Sequence, residues 1–251
     1  LEERRQRVEA SPDGKLYEAF LGRAYTTHPY GIPIIGLPMD LTFLSPAAIR
    51  GIRRKYRSPG RICIAVVGDV DPSKTMDLIR RYFGRIPDAG APSARIPSEP
   101  EQRAERKVEV EFDASPSMII GYHKPAPPAQ DDYVLDVLEA ILGKGRTSRL
   151  YDKLVTERQI ADSVSVVNGV PASRYSNLFT IFARPRHPHT NEELQAAIIE
   201  EIESIKTHSV TEEELARAKN QLKMDYIKSL DSNSELASIL SYYELLLGDY
   251  R

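Results

Sequence analysis

The stretch RICIAVVGDVDP, residues 61–72, indicates how this chain of 251 residues is built. Its first half is a continuous, largely β-branched run of the kind found in strands that are buried on both faces. Asp71 and Pro72 then place a capping residue before a proline at the first helical position, which predicts a helix. Ser45 and Pro46 give the same signal upstream. The local order is therefore helix, strand, helix.

Two predictions about burial follow from this order. Ile49, Ile52 and Tyr56 recur at helical spacing and predict the buried stripe of the upstream helix. Cys63 lies inside the apolar run, which favours a small buried strand residue over a reactive thiol. Because it is the one cysteine of the chain, a disulfide framework and a Cys-based structural zinc site are also excluded.

The flanking segments predict an α+β fold with a boundary near residue 95. Residues 1–25 have helical periodicity, interrupted at 11–14 by a Ser-Pro start signal. Residues 85–104 are rich in proline and charge and predict a linker. The remaining pattern predicts strands at 107–112, 117–122, 162–169 and 175–184, and helices at 131–142, 147–158, 190–207, 211–230 and 233–247.

Composition excludes several classes of function without assigning one. The formal charge of −2 gives no global basic field that would indicate nucleic acid or an anionic membrane. The longest apolar runs fall far short of the ~20 residues that a transmembrane helix needs. The chain also contains no P-loop, no dinucleotide-binding glycine motif and no complete helical zinc motif. Pattern alone therefore predicts a two-part α+β protein and no chemistry.

Several short motifs occur in a fixed order along the whole chain. They include EERR at 2–5, HPY at 28–30, VVGDVDP at 66–72, YFG at 82–84 and RTSRLY at 146–151. Taken together, they resemble the pitrilysin/insulinase-type zinc metallopeptidases (inverzincins), especially the bacterial, mitochondrial-processing-peptidase-like branch. The resemblance implies a zinc-dependent metalloendopeptidase that hydrolyses peptides in an enclosed chamber, in the periplasm or cytoplasm of a bacterium.

The resemblance also implies an architecture. Members of this family carry two homologous α/β-sandwich domains that form a clamshell, and here each domain is partly represented. Residues 1–95 correspond to the C-terminal part of the first, zinc-side domain, residues 96–104 to a linker, and residues 105–251 to the N-terminal part of the second domain. The segment with the family's H-x-x-E-H motif is expected upstream of Leu1.

The zinc chemistry of the family is divided between that motif and a later helix. The two His of H-x-x-E-H bind zinc, and the Glu acts as base for the metal-bound water. A second Glu completes the ligand set, and the resemblance places it at Glu3. This assignment accounts for the almost wholly polar helix at residues 1–9. We expect zinc in the full-length parent and not in this segment alone, which should be inactive.

Active single-chain members also carry an Arg and a Tyr seven residues apart, which the family uses to stabilise the substrate carbonyl and oxyanion. Val155 and Asp162 stand at these positions here. A valine cannot donate a hydrogen bond, and a carboxylate repels an oxyanion. The resemblance therefore implies a zinc-bearing subunit that needs a homologous partner, in a heterodimer or a homodimer.

Two other classes of function stay open. A non-catalytic scaffold or assembly subunit would share the same fold, and a degenerate H-x-x-E-H segment upstream would favour it. An unrelated α+β binding module would require the ordered motifs to have arisen by chance.

Overall fold

The computed structural model describes residues 2–57, 59–87 and 95–250. The chain divides into two compact units. Unit 1 comprises Leu1–Leu37 and Pro97–Met224, and unit 2 comprises Pro38–Ile96 and Asp225–Arg251. The division into domains at 1–95, 96–104 and 105–251 stays a prediction, and residues 88–94 of the predicted linker region lie outside the described residues.

The helices and strands follow the predicted α+β order. They are, in chain order, α1 (Glu2–Arg4), a π-helical turn (Arg5–Glu9), α2 (Pro12–Ala24), a 3-10 turn (Pro29–Gly31), α3 (Pro38–Thr42), α4 (Pro46–Tyr56), a 3-10 turn (Pro59–Arg61), α5 (Pro72–Phe83), β1 (Met118–Lys124), α6 (Gln130–Gly143), a π-helix (Tyr151–Glu157), β2 (Ala161–Val170), β3 (Asn177–Pro185), α7 (Asn191–Thr207), α8 (Glu212–Ser229) and α9 (Asn233–Leu247). The helices predicted at 131–142, 190–207, 211–230 and 233–247 are confirmed.

Unit 1 is built on a three-stranded antiparallel sheet with the order β1-β3-β2. The central strand β3 is almost wholly buried, and Ile181 pairs with Ile120 on one side and Val166 on the other. The core on one face of this sheet includes side chains from α6, the π-helix and α7, among them Leu142, Leu154 and Ile198. Burial of this apolar surface is the main driving force that holds unit 1 together.

The helix starts form as the capping signals predict. Ser45 Oγ accepts the N–H of Ala48 at 3.1 Å, and Asp71 Oδ1 accepts the N–H of Ser73 at 2.9 Å. Each bond satisfies an N–H that has no partner within its helix. Such caps depend on neighbouring residues alone, so the sequence is sufficient to predict them.

Two predicted strands and one predicted buried stripe are wrong. Residues 61–68 and 107–112 form no strand, because a strand requires backbone hydrogen bonds to a neighbour and no described segment pairs with either. Ile49 and Ile52 of α4 are about half exposed, at 53% and 52%. Cys63 is a free thiol that is only half-buried. Among the described residues of unit 2, none is buried.

Candidate functional site

Asp162 lies at the start of β2, in a β-bulge. Ala161 pairs with Pro185 and Ser163 pairs with Arg184, so Asp162 is the extra residue on the bulged strand. Its Oδ1 accepts a hydrogen bond from Arg186 Nε at 3.0 Å, with both side chains exposed. The position that the resemblance assigns to a Tyr therefore holds a carboxylate whose charge is balanced by an arginine.

Val155 lies in the π-helix and contributes to the core. It is half-buried and packs against the hydrophobic cluster of unit 1 that contains Leu142 and Leu154. Its side chain is apolar and offers no hydrogen-bond donor. Neither Val155 nor Asp162 can therefore stabilise a developing oxyanion, since such a site requires donors aimed at the oxygen.

Glu3 lies on the exposed side of α1. Its side chain is 69% exposed, and Oε1 lies 3.1 Å from Arg7 Nη2. No group of three or more His, Cys, Asp or Glu side chains within residues 2–57, 59–87 and 95–250 could hold a metal ion. A catalytic zinc site takes three protein ligands. The described residues therefore do not build a zinc site by themselves, and Glu3 as a ligand stays a prediction.

Arg4, beside Glu3, is a buried residue that sequence reasoning missed. Its guanidinium donates to both carboxylate oxygens of Glu18, at 2.7 and 2.8 Å, and to the carbonyl oxygen of Gly36 at 2.6 Å. These bonds attach the first helix to α2 and to the loop that follows it. Partners that lie 14 and 32 positions away give no local pattern, so the sequence held no signal for these contacts.

A second set of hydrogen bonds within unit 1 involves Glu99, in the segment predicted as a linker, and the side chain of Glu99 is 6% exposed. Its carboxylate accepts the N–H groups of Thr26, Thr27 and His28 at 2.8 to 3.0 Å, and the hydroxyl of Thr26 at 2.7 Å. Burial alone would raise the pKa of Glu99, but these hydrogen bonds outweigh it and hold the pKa at about 2. The described part of the predicted linker is thus anchored at this point.

His28 is buried next to these hydrogen bonds of Glu99. Its Nδ1 accepts the N–H of Tyr30 at 3.1 Å, so that nitrogen carries no proton. Burial lowers the pKa of His28, although the nearby charge of Glu99 opposes that shift. The HPY motif therefore folds into an ordered turn in which the imidazole of His28 is buried.

One cluster of carboxylates also lies in unit 1, between α6 and β2. Asn168 Nδ2 donates to Asp136 Oδ1 at 2.7 Å, and the N–H of Asn168 donates to Glu139 Oε2 at 3.2 Å. Burial raises the pKa of Glu139. Nearby, the buried Lys124 donates to Asp132. Perturbed carboxylates often mark functional sites, but these are hydrogen-bonded within the unit, and their geometry is that of a structural contact.

The chain matches the family profile "Peptidase M16 inactive domain" over residues 44–222. It is 30% identical over 246 residues to "Zinc protease PqqE" of Helicobacter pylori, an alignment that covers 96% of this chain and 55% of that protein. It is 26% identical over 244 residues to "Uncharacterized zinc protease YmxG" of Bacillus subtilis, an alignment that covers 97% of this chain and 58% of that protein. The chain spans little more than half the length of these curated relatives.

Solved structures give the same result for the fold. A protease from Helicobacter pylori superposes with a TM-score of 0.88 at 30% identity, over 99% of this chain and 62% of that one. A chain of "Complex III2 from Candida albicans, Inz-5 bound" gives a TM-score of 0.78 at 20% identity, over 98% of this chain and 60% of that one. This likeness shows the fold alone.

The fold, the family profile and the similarity to curated zinc proteases define a zinc-protease-like chain that contains the inactive domain of that class. The chain belongs to the peptidase M16 family, the pitrilysin-like zinc proteases. The fold class is confirmed, as is the resemblance that the motifs carried. No helix among the described residues combines the length and apolar character needed to span a membrane.

Proposed function

We propose that this chain is part of a zinc-dependent metalloendopeptidase that hydrolyses peptides in an enclosed chamber. We further propose that its parent is the zinc-bearing subunit and that a homologous partner, in a heterodimer or homodimer, supplies the Arg and Tyr. One observation carries the proposal. The two positions that would stabilise the oxyanion hold Val155, which packs on the core, and Asp162, which pairs with Arg186.

The contribution of this chain to the reaction is then positional. Zinc, when bound to the complete protein, would supply an activated water as nucleophile. Arg4 fixes the first helix through Glu18 and Gly36, and the exposed face of that helix carries Glu3. For Glu3 to bind a metal, its carboxylate would have to leave Arg7, and the other ligands would have to come from outside the described residues.

The test restores the missing pair in the full-length parent. We expect the parent alone to cleave a quenched fluorescent peptide slowly and the parent with its homologous subunit to cleave it rapidly. Val155→Arg with Asp162→Tyr should raise the activity of the parent alone by about 10²-fold or more, since one oxyanion donor is worth that much. A control pair, Thr156→Arg with Asn220→Tyr, adds the same side chains at exposed positions and should change nothing.

The need for a partner would be refuted if the unmodified parent alone were as active as the parent with its homologous subunit. Unchanged activity of the restored variant, with retained fold and zinc content, would refute the roles given to positions 155 and 162.

A scaffold or assembly subunit is the second candidate. It is favoured by the match of residues 44–222 to the profile of the family's inactive domain. The two candidates differ in the full-length protein, where a peptidase binds one zinc per chain by elemental analysis and cleaves peptides with its partner. A scaffold does neither.

A further inference from the structure

A polar cleft of about 590 Å³ lies within unit 1, between the π-helix Tyr151–Glu157, α7 and the first turns of α8. Every side chain that lines it is charged or can form a hydrogen bond. Ligand sites in proteins have volumes of about 300–1,000 Å³, and most have a predominantly apolar lining. The cleft therefore has the size of a ligand site and a lining that favours a strongly polar ligand.

A bidentate ion pair forms part of the lining. Arg149 donates to both carboxylate oxygens of Glu214, at 2.7 and 2.8 Å, and each side chain is 17% exposed. Glu214 also accepts the N–H and the hydroxyl group of Thr211, at 2.9 and 3.0 Å. The hydrogen bonds from Arg149 and Thr211 hold the pKa of Glu214 at about 2, so the pair stays ionised. These two charges balance each other and fix the start of α8 against the residues that precede the π-helix.

Two further arginines of the lining lie close to Thr147. Arg217 of α8 donates from Nη2 to the carbonyl oxygen of Thr147 at 3.2 Å, which uses one of the five N–H donors of its guanidinium. Arg146, the residue before Thr147, makes no side-chain hydrogen bond or ion pair within the part of the chain that the structure describes. The two guanidinium groups, which we call the basic pair, therefore have donors available for an anionic group, and a carboxylate matches their geometry.

Two carboxylates line the same cleft. Glu201 of α7 lies within electrostatic reach of Arg149 and Lys153, yet its carboxylate makes no hydrogen bond or ion pair among the described residues. Lys153, which could neutralise it, binds Glu157 at 2.7 Å instead. Asp152 precedes Lys153 in the π-helix and also lines the cleft. Glu201 and Asp152, which we call the acidic pair, therefore have oxygens available for a cationic group.

Opposite charges are held apart in this cleft. No ion pair joins the basic pair to the acidic pair within the residues that the structure describes. A ligand with several negative charges would be repelled by the acidic pair, and one with several positive charges would be repelled by the basic pair. A ligand with one charge of each sign is attracted to both pairs. The charges of the lining therefore favour a zwitterion over a phosphate or a polyamine.

We propose that the cleft binds a small zwitterion of the amino-acid type. Its carboxylate binds Arg146 and Arg217, and its ammonium group binds Asp152 and Glu201. Free amino acids and short peptides with free termini share this chemistry and differ in the separation of their two charges. Binding here requires neither zinc nor hydrolysis and is therefore independent of the proposed function.

NMR titration of the 251-residue chain measures this binding, from the shifts of the backbone amides of Thr147 and Ser204. The probes are serine and triserine, each with a free carboxylate and a free ammonium group. The probe that binds more tightly is then compared with its C-terminal amide and its N-acetyl form, each of which lacks one charge. We expect each blocked form to bind more weakly by about tenfold or more, the loss that corresponds to one charge-assisted hydrogen bond.

Paired substitutions test which side chains bind each charge of the ligand. The variant with Arg146→Gln and Arg217→Gln should bind the free ligand and its amide alike, and it should retain the preference for a free ammonium group over the N-acetyl form. The variant with Asp152→Asn and Glu201→Gln should lose the preference for a free ammonium group and retain the preference for a free carboxylate. The urea midpoint of each variant checks that the fold is retained.

The matched control combines Lys219→Gln with Lys223→Gln. It removes two positive charges at exposed positions of α8 outside the lining and should change neither preference. Three results would overturn the inference: no binding of either probe, equal binding of the free and both blocked forms, or an undiminished effect of amidation in the folded arginine variant. Hydrolysis of peptides by the complete enzyme is a separate measurement, so the proposed function can fail without any of these results.

Discussion

Unit 1 and unit 2 have similar local structure and different burial. In both units, the side chain of a serine, threonine or aspartate caps the start of a helix. Every buried side chain among the described residues nevertheless belongs to unit 1, and unit 2 leaves large apolar side chains such as Phe43, Ile52 and Tyr82 half exposed or more. Local sequence can thus specify a helix without providing the surface against which it packs.

The largest expected effect contrasts the two units directly. Leu154 of unit 1 is fully buried, and Leu154→Ala should lower the free energy of unfolding by about 2–5 kcal/mol because it leaves a cavity. Ile52→Ala in unit 2 removes a side chain that is 52% exposed and should change the free energy of unfolding by less than about 0.5 kcal/mol. Urea denaturation of the 251-residue chain measures both.

Equal effects of these two substitutions would contradict the comparison. A large loss of unfolding free energy for Ile52→Ala in the full-length parent, with a small loss in this chain, would mean that the parent covers α4.

A loss of stability of intermediate size is expected when the pH is lowered. The pKa of Glu99 is depressed to about 2, below its unfolded value near 4.5, so its ionised form stabilises the fold. That contribution is complete above pH 4.5 and is lost as the pH falls toward 2. Between pH 6 and pH 3, the free energy of unfolding of the wild type, measured by urea denaturation, should fall by about 2 kcal/mol more than that of Glu99→Gln.

Asp77→Asn is the matched control in unit 2, where Asp77 makes an exposed contact with Arg80. Exposed ion pairs contribute little to stability, so the slope against pH should match the wild type. A slope for Glu99→Gln that equals the wild-type slope would show that the tie to residues 26–28 does not stabilise unit 1.

The smallest expected effect tests what the units share. Ser45→Ala in unit 2 and Thr190→Ala in unit 1 each remove a helix cap and should cost about 1 kcal/mol. Hydrogen exchange of the amides in α4 and α7 would report each loss within its own helix. If capping is local, the two changes agree, and a much larger change in α7 would show that burial amplifies the cap.

Sequence was sufficient where a residue's partners lie within a few positions. The caps at Ser45 and Asp71, the helices α6 to α9 and the strands β1 to β3 follow from spacing and composition, and the ordered motifs identified the family. It was insufficient where a partner lies far along the chain. The apolar run at 61–68 was predicted as a strand although nothing described pairs with it.

The candidate site shows the same limit. The resemblance predicts that Val155 and Asp162 replace the family's Arg and Tyr, and this correspondence stays a prediction. That Asp162 is balanced by Arg186, 24 positions away, required the bulge between β2 and β3. The same holds for Arg4 and Glu18, whose ion pair leaves no periodic signal in the sequence.

The carboxylate of Glu99 also acts as a clasp in the topology of the chain. It joins position 99 to positions 26–28 within unit 1, so the intervening stretch of chain, an excursion that includes residues 38–96 of unit 2, is closed into a loop by these hydrogen bonds. The entropy of closing such a long loop grows only slowly with its length. Insertions or deletions within the excursion should therefore be tolerated by unit 1 as long as the clasp is intact.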